Sequence, residues 1–137
     1  MTETRHPRFA VLDAGTNSIK FHIGERAPDG AWRAVVDRAE VTRMGEGFGQ
    51  DRVITAAAQE RAVLAIQGMM EEARRHQVQA IAAVGTAGLR IASNGPDVVS
   101  AIAARTIPWA ALLAILKSCE PGLKFGLITL AILKLFL

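Results

Sequence analysis

An apolar run that passes directly into a polar turn opens the chain and limits its possible folds. Residues 9–12 are all apolar, and D-A-G-T-N-S at residues 13–18 follows them at once. After this turn Ile19, Phe21 and Ile23 alternate with polar residues, which is the period of a strand with one buried face. The pattern predicts two strands that are joined by a tight turn.

A third strand and a glycine-rich loop are predicted next. The sequence P-D-G at residues 28–30 marks a turn, and residues 32–41 carry valine and alanine among charged side chains. Behind this strand Gly45, Gly47 and Gly49 alternate, in a stretch too rich in glycine for a regular element. We expect a loop there whose backbone closely approaches another part of the protein.

A long helix is predicted after this loop. Thr55 is a suitable N-cap, and no proline follows before Pro96. The apolar residues that recur at helical spacing are Ala62, Ile66, Met69 and Ala73. The charged residues expected on the solvent face are Glu60, Arg61, Glu71, Arg74 and Arg75. Such a two-faced pattern is typical of a helix that packs against a core.

One more strand and two short helices complete the expected domain. Residues 80–84 are a short apolar run, which predicts a strand. Residues 87–92 and 98–105 predict helices, with Pro96 at a favourable position near the start of the second. Three successive strands, a helix, a strand and helices predict an α/β domain over residues 1–106.

The composition changes abruptly after Thr106. Residues 1–106 contain twelve Arg, one Lys and three Leu, whereas residues 107–137 contain no Arg, three Lys and nine Leu. The apolar runs at 107–116 and 125–133 are each shorter than the ~20 residues that a membrane-spanning helix needs. We expect a separate, helical, apolar tail. A shifted reading frame, a packing helical hairpin and contact with a membrane surface all remain open explanations.

Charge and cysteine content exclude some classes of protein. The net charge is +3, but basic residues are dispersed among acidic ones, so no nucleic-acid-binding run is present and no nucleic-acid partner is expected. Cys119 is the single cysteine, which excludes an intramolecular disulfide and is compatible with a reducing cytosol. Asp13 interrupts the first apolar run, so no signal peptide is predicted and a cytoplasmic location is expected.

The first turn has the composition of an anion-binding site. Its glycine, threonine, asparagine and serine offer backbone N–H groups and side-chain donors to a phosphate group. Asp13, at the end of the strand, is placed where a carboxylate can hold a divalent metal beside phosphate oxygens. The other interpretation is a plain hairpin turn, which the turn sequence alone does not exclude.

Three segments in order resemble the Ppx/GppA phosphatases, over nearly all of residues 8–106. V-L-D-A-G-T-N-S at residues 11–18 is similar to the first phosphate motif of that family. T-R-M-G-E-G at residues 42–47 resembles its glycine-rich stretch. A-V-G-T-A-G-L-R at residues 83–90 resembles its strand-to-helix segment, usually written G-T-S-A-L-R, and N-G at residues 94–95 follows at the usual distance.

This resemblance implies an actin-like, ribonuclease H-like fold, of which this chain is the first lobe. It implies hydrolysis of terminal phosphoanhydride bonds in polyphosphate or guanosine pentaphosphate, with a divalent metal such as Mg²⁺. The phosphate-binding residues that it implies are Gly15, Thr16, Asn17, Ser18, Gly85, Thr86 and Arg90. The metal ligand that it implies is Asp13.

Two motifs of the family have no counterpart in this sequence. After Arg105 the family has a strand and S-G-x-E-E-A, whose glutamate acts on the attacking water, whereas this chain continues T-I-P-W. The second phosphate loop, D-x-G-G-G-S, has no match either. We therefore assign no catalytic residue and expect little turnover by this chain alone.

Two other functions remain open. One is a non-catalytic phosphate-binding or regulatory module that uses residues 107–137 to bind a partner or a membrane. The other is a kinase of small metabolites that shares only the first loop, although the match at residues 85–90 speaks against it. Neither oligomeric state nor the choice between polyphosphate and guanosine pentaphosphate is predicted.

Overall fold

The strands on either side of the first turn pair as an antiparallel hairpin. They are β1 (Arg8–Ala14) and β2 (Ser18–Arg26). The structure is a computed structural model, and it describes residues 6–85 and 87–106 and the backbone of residues 133–134. β3 (Trp32–Val41) pairs antiparallel with the other edge of β2. The predicted succession of three strands is confirmed.

A long helix connects the hairpin strands to a parallel strand. Thr55 caps α1 (Ala56–Arg75), because its hydroxyl accepts a hydrogen bond of 3.2 Å from the Ala58 N–H. The chain then returns as β4 (Ala80–Gly85), which lies parallel to β1. These strands have the order β3-β2-β1-β4 in the sheet. Because β1 and β4 are parallel, their carboxyl ends, Ala14 and Gly85, lie side by side.

One face of the sheet packs against α1 and forms the core. The period of two sends Leu12, Phe21 and Ile81 to this face, where each is at most 4% exposed. The predicted helix face is confirmed, and its buried residues are Ala58, Ala62, Val63, Ala65, Ile66, Met69, Met70 and Ala73. Because four of these are alanine, the helix can lie close to the large strand side chains.

Two helices follow β4 in the described part of the chain. They are α2 (Ala87–Ile91) and α3 (Gly95–Thr106), and α3 packs against α1. A two-residue strand, β5 (Leu133–Lys134), pairs antiparallel with β4, so helix is a wrong expectation for these two residues. The remainder of the predicted tail lies outside the described residues. Within the part of the chain described, no helix is long and apolar enough to cross a bilayer.

The opposite face of the sheet is open among the described residues. Val11, Val84 and Val41 on this face are 44%, 45% and 61% exposed. Trp32, at the far end of the same face, is 60% exposed and contacts Phe9 edge to face at 5.8 Å. The sheet therefore buries one side against its helices and presents a partly apolar surface on the other.

Candidate functional site

The site begins at the turn between β1 and β2. The Gly15 N–H donates to the Ser18 carbonyl at 3.0 Å and closes the turn. Thr16 and Asn17 lie at its tip and are exposed, as a turn sequence of this kind predicts. Asp13 is near the end of β1, and its Oδ1 atom is buried without a hydrogen-bond partner among the described residues.

The glycine-rich loop, residues 42–48, docks on this turn through its backbone. The N–H groups of Thr42 and Arg43 both donate to the Asn17 carbonyl, at 3.1 and 2.9 Å, and the Gly45 N–H donates to the Thr16 carbonyl at 2.8 Å. A Cβ on Gly45 would lie 3.2 Å from the Cβ of Thr16. The predicted close approach of this loop is confirmed, and its target is the first turn.

Helix α2 reaches the same turn from the other side. A Cβ on Gly88 would lie only 1.8 Å from Cγ2 of Thr16, so no larger residue fits without movement. Thr16 is exposed at the tip of the turn but contacts both Gly45 and Gly88. Three segments that are far apart in sequence meet at one side chain, and the two glycines allow this contact.

These segments line an open cleft of about 460 Å³. The residues that line it are Thr16, Asn17, Arg43, Gly45, Glu46, Phe48, Gly88 and Ile91. Arg43 supplies a cation and Asn17 an amide, both of which bind phosphate oxygens well. Phe48 and Ile91 make part of the wall apolar. This mixture suits an anionic ligand of a few phosphate groups.

Arg43 holds an unusual backbone conformation at the rim of this cleft. Its φ is 47°, in the left-handed region that non-glycine residues seldom occupy. Such a conformation costs on the order of 1–3 kcal/mol and occurs often at functional sites. In this loop it is held by the bond from the Arg43 N–H to Asn17 and by a bond from the Glu46 N–H to the Arg43 carbonyl at 2.9 Å.

Six of the seven predicted phosphate-binding residues lie in the described part of the chain, and they fall into three pairs. Thr16 and Asn17 line the cleft, whereas Gly15 and Ser18 form the turn behind them. Gly85, at the end of β4, and the exposed Arg90, on α2, lie beside the cleft but are not part of its wall. Thr86 lies outside the described residues. The phosphate-binding roles of all seven remain predictions.

A metal site at Asp13 also remains a prediction. No group of three or more His, Cys, Asp or Glu side chains that could hold a metal occurs in the described ranges. The unpartnered, buried Oδ1 atom of Asp13 nevertheless fits one ligand position. Mg²⁺ commonly binds proteins through one or two carboxylates and completes its shell with waters and substrate phosphates. The residues present fit a metal of that kind.

Sequence reasoning did not identify the cleft residues beyond the first turn. Arg43, Glu46, Phe48, Gly88 and Ile91 received no individual role, although Gly88 carried a signal because glycine is unfavourable within a helix. The left-handed φ of Arg43 has no sequence signature. Arg61 was expected to face solvent on α1. Its guanidinium instead binds the glycine-rich loop, and the sequence pattern did not predict this contact.

The family model for the Ppx/GppA phosphatase family matches residues 25–113, which is more than half of the 137-residue chain. This chain belongs to the Ppx/GppA phosphatase family. The matched range contains the glycine-rich loop, β4 and α2, and it begins after the first turn. Assignment of a phosphate site to that turn therefore depends on its sequence motif and its position in the fold.

Solved structures show the same fold. A Ppx/GppA family member from Aquifex aeolicus is 19% identical, with a TM-score of 0.70, and the match covers 73% of this chain and 32% of that protein. An exopolyphosphatase from Cytophaga hutchinsonii is 25% identical, with a TM-score of 0.68, and the match covers 72% and 31%. The Ppx/GppA chain thus has the actin-like fold of these proteins and spans about a third of their length.

Proposed function

We propose that this Ppx/GppA chain forms the first phosphate-binding lobe of a phosphatase that removes terminal phosphate from polyphosphate or guanosine pentaphosphate. The observation that carries this proposal is the convergence of the first turn, the glycine-rich loop and α2 on one cleft. Asn17 and Arg43 both line that cleft, and the amide and guanidinium of their side chains are donors for phosphate oxygens.

We expect this chain to bind the phosphate chain but to hydrolyse it only very slowly. Phosphoryl transfer depends on charge stabilisation around the whole transferring group and on an oriented nucleophile. The sequence contains neither the S-G-x-E-E-A glutamate nor the second phosphate loop of the family. Loss of a general base alone typically lowers a rate by about 10²–10⁴-fold. Phosphate release by this chain should therefore be negligible beside that of a complete enzyme.

Mg²⁺ is the proposed metal, with Asp13 as its protein ligand. When bound, the metal would offset negative charge on neighbouring phosphate groups. Asp13 would orient it from the end of β1, next to the turn that carries Thr16 and Asn17. The protein itself binds the phosphate chain through Arg43 and the turn.

Titration calorimetry with tripolyphosphate, with and without Mg²⁺, tests this function. Arg43→Gln should weaken binding by about tenfold, because a charge-assisted hydrogen bond to phosphate is lost. Arg33→Gln removes the same charge from the opposite end of β3 and is the matched control, expected to bind like the unmodified chain. Equal effects of the two variants would show that the cleft is not the binding site.

Phosphate release from the same polyphosphate is the second measurement. We expect no release above background under conditions in which calorimetry detects binding. Release at the rate of a complete exopolyphosphatase would contradict the role given to the absent glutamate motif. Absence of binding with intact folding would contradict the proposed function as a whole.

A further inference from the structure

Arg61, in the second turn of α1, makes three contacts with a single loop. Its Nε donates to the Thr42 carbonyl at 2.8 Å, and its Nη2 donates to the Arg43 carbonyl at 3.2 Å. The same Nη2 lies 2.6 Å from Oε2 of Glu46. One guanidinium therefore joins two successive carbonyls and a carboxylate of the glycine-rich loop to the long helix.

The first consequence of these contacts is conformational. Arg43 is held in its left-handed conformation by its N–H bond to the Asn17 carbonyl and by two bonds to its own carbonyl, one from the Glu46 N–H and one from Arg61. A sparsely populated conformation persists only where surrounding contacts maintain it. Without Arg61, the loop loses its hydrogen bonds to the helix, while its backbone bonds to the first turn and the burial of Met44 in the core remain. Arg43 then keeps only its bonds to Asn17 and Glu46, and the direction of its side chain is held less firmly.

The second consequence is electrostatic. Glu46 lines the cleft, and its carboxylate would repel a phosphate chain. Its pairing with Arg61 offsets this negative charge and turns the carboxylate toward the helix. A planar guanidinium can contact two carbonyls and a carboxylate at once, whereas the single ammonium of lysine cannot reproduce this fork.

We infer that Arg61 is a positioning residue of the cleft, which holds residues 42–46 in the conformation that presents Arg43 to phosphate and offsets the charge of Glu46. This inference rests on the proposed function for its ligand. The contacts of Arg61 with the loop do not depend on any ligand. The effect of Arg61 on the loop conformation can therefore be tested separately from phosphate binding.

Calorimetry with tripolyphosphate on the full chain tests the ligand-dependent part. Arg61→Gln should weaken binding by about tenfold, and Arg61→Lys should recover little of that loss. The double variant Arg61→Gln, Glu46→Gln should recover a clear part of the affinity, because the unpaired carboxylate is gone. A merely structural role of Arg61 would give no such recovery. Arg74→Gln, which removes a charge from the last turn of the same helix, is the control.

Two results would overturn the inference: binding by Arg61→Gln within twofold of the unmodified chain, or a double variant that binds no better than Arg61→Gln. Amide hydrogen exchange without ligand supplies an independent readout. Exchange of the Arg43 and Gly45 amides should quicken by about tenfold in Arg61→Gln and in Arg61→Lys. If the unmodified chain fails to bind tripolyphosphate, the proposed function fails, while this exchange measurement still decides whether Arg61 holds the loop.

Discussion

The side chain of Thr16 lies between two glycines that belong to distant parts of the sequence. Gly45 faces it from the glycine-rich loop, and Gly88 faces it from α2. The space for a side chain differs between these glycines. A Cβ on Gly45 would lie 3.2 Å from Cβ of Thr16, whereas a Cβ on Gly88 would lie 1.8 Å from its Cγ2. The approach of α2 to the first turn thus depends on the absence of a single methyl group.

Gly88→Ala should destabilise the fold and widen the cleft, because the new Cβ overlaps Cγ2 of Thr16. Overpacking of this kind typically costs about 1–3 kcal/mol. Urea unfolding followed by circular dichroism measures the change in the free energy of unfolding. Gly68→Ala is the matched control, because nothing lies within 4 Å of its Cβ and alanine favours a helix; it should stabilise the chain by about 0.5–1 kcal/mol.

Thr16→Ser provides a rescue test for the same contact. Serine lacks Cγ2, so the next nearest Thr16 atom to the new Cβ is Cβ itself, at 3.3 Å. In the double variant with Gly88→Ala, most of the destabilisation should disappear, and the two substitutions should be strongly non-additive. Additive effects would show that the cost of Gly88→Ala arises elsewhere in α2.

At the scale of elements, the corner between α2 and α3 is attached to the segment before α1. The Asn94 side chain accepts from the Ile54 N–H and donates to the Ile54 carbonyl, both at 2.9 Å. Ser93 adds a bond from its hydroxyl to the Asp51 carbonyl at 2.8 Å. Asparagine in this position supplies a hydrogen-bond partner for both backbone groups of Ile54.

Asn94→Ala should lower the free energy of unfolding by about 1–3 kcal/mol, since both backbone groups of Ile54 lose their partner. Asn94→Asp is the graded control, because it keeps the acceptor for the Ile54 N–H and loses the donor to its carbonyl. Its stability, measured by urea unfolding, should lie between those of the other two chains. If Asn94→Ala lowers the free energy of unfolding less than Asn94→Asp does, the two hydrogen bonds between Asn94 and Ile54 do not stabilise this corner.

Helices α1 and α3 are joined by an exposed ion pair between Glu60 and Arg105. Arg105 donates to both carboxylate oxygens of Glu60, and these hydrogen bonds lower the pKa of the Glu60 carboxyl below its ordinary value. A lowered folded-state pKa contributes stability above the unfolded pKa, and this stability is lost as the pH falls through the folded-state pKa. Because both side chains are solvent-exposed, the contribution is small and screened by salt.

Glu60→Gln should therefore be slightly less stable than the unmodified chain at pH 7, and the difference should disappear as the pH falls through the lowered folded-state pKa of Glu60. Urea unfolding at several pH values, in low and high salt, measures this difference. Glu71→Gln on the same helix is the control, since Glu71 makes none of the ion pairs found among the described residues. A difference that persists unchanged at pH 3 would exclude the ionised pair as its cause.

The whole molecule has one buried and one open sheet face within its described part. The open face includes Trp32 at 60% exposure and several partly exposed valines. Apolar patches of this kind in soluble proteins often mark contact surfaces. The chain spans about a third of the solved family members that it matches, whose remaining length has no counterpart in it.

Acrylamide quenching of Trp32 fluorescence reports on this face directly. In a Trp109→Phe variant, which leaves Trp32 as the single tryptophan, quenching of the folded chain should approach that of the same chain in guanidinium, because the indole is largely exposed. Strong protection would contradict an open face. If Trp32 is protected from quenching and this protection increases with protein concentration, a second copy of the chain covers the face.

The sequence by itself determined the elements and the family. Alternating residues in the first hairpin, the Thr55 cap and the apolar face of α1 agree with the observed structure, because these signals are local and arise from the periods of strand and helix. The three motifs indicated the Ppx/GppA family, which the family match shows. The proximity of the glycine-rich loop to another segment was also predictable, because glycines permit such contacts.

Only the tertiary structure decided which residues meet at the cleft. Arg61 reaches Thr42 and Glu46 across 19 and 15 positions of sequence, and Gly88 meets Thr16 only because β4 lies parallel to β1. Arg43 takes its left-handed conformation from hydrogen bonds on two sides, not from its own preference. Local sequence determines the period and ends of each element. Contacts between elements depend on register and packing, which the whole chain sets together.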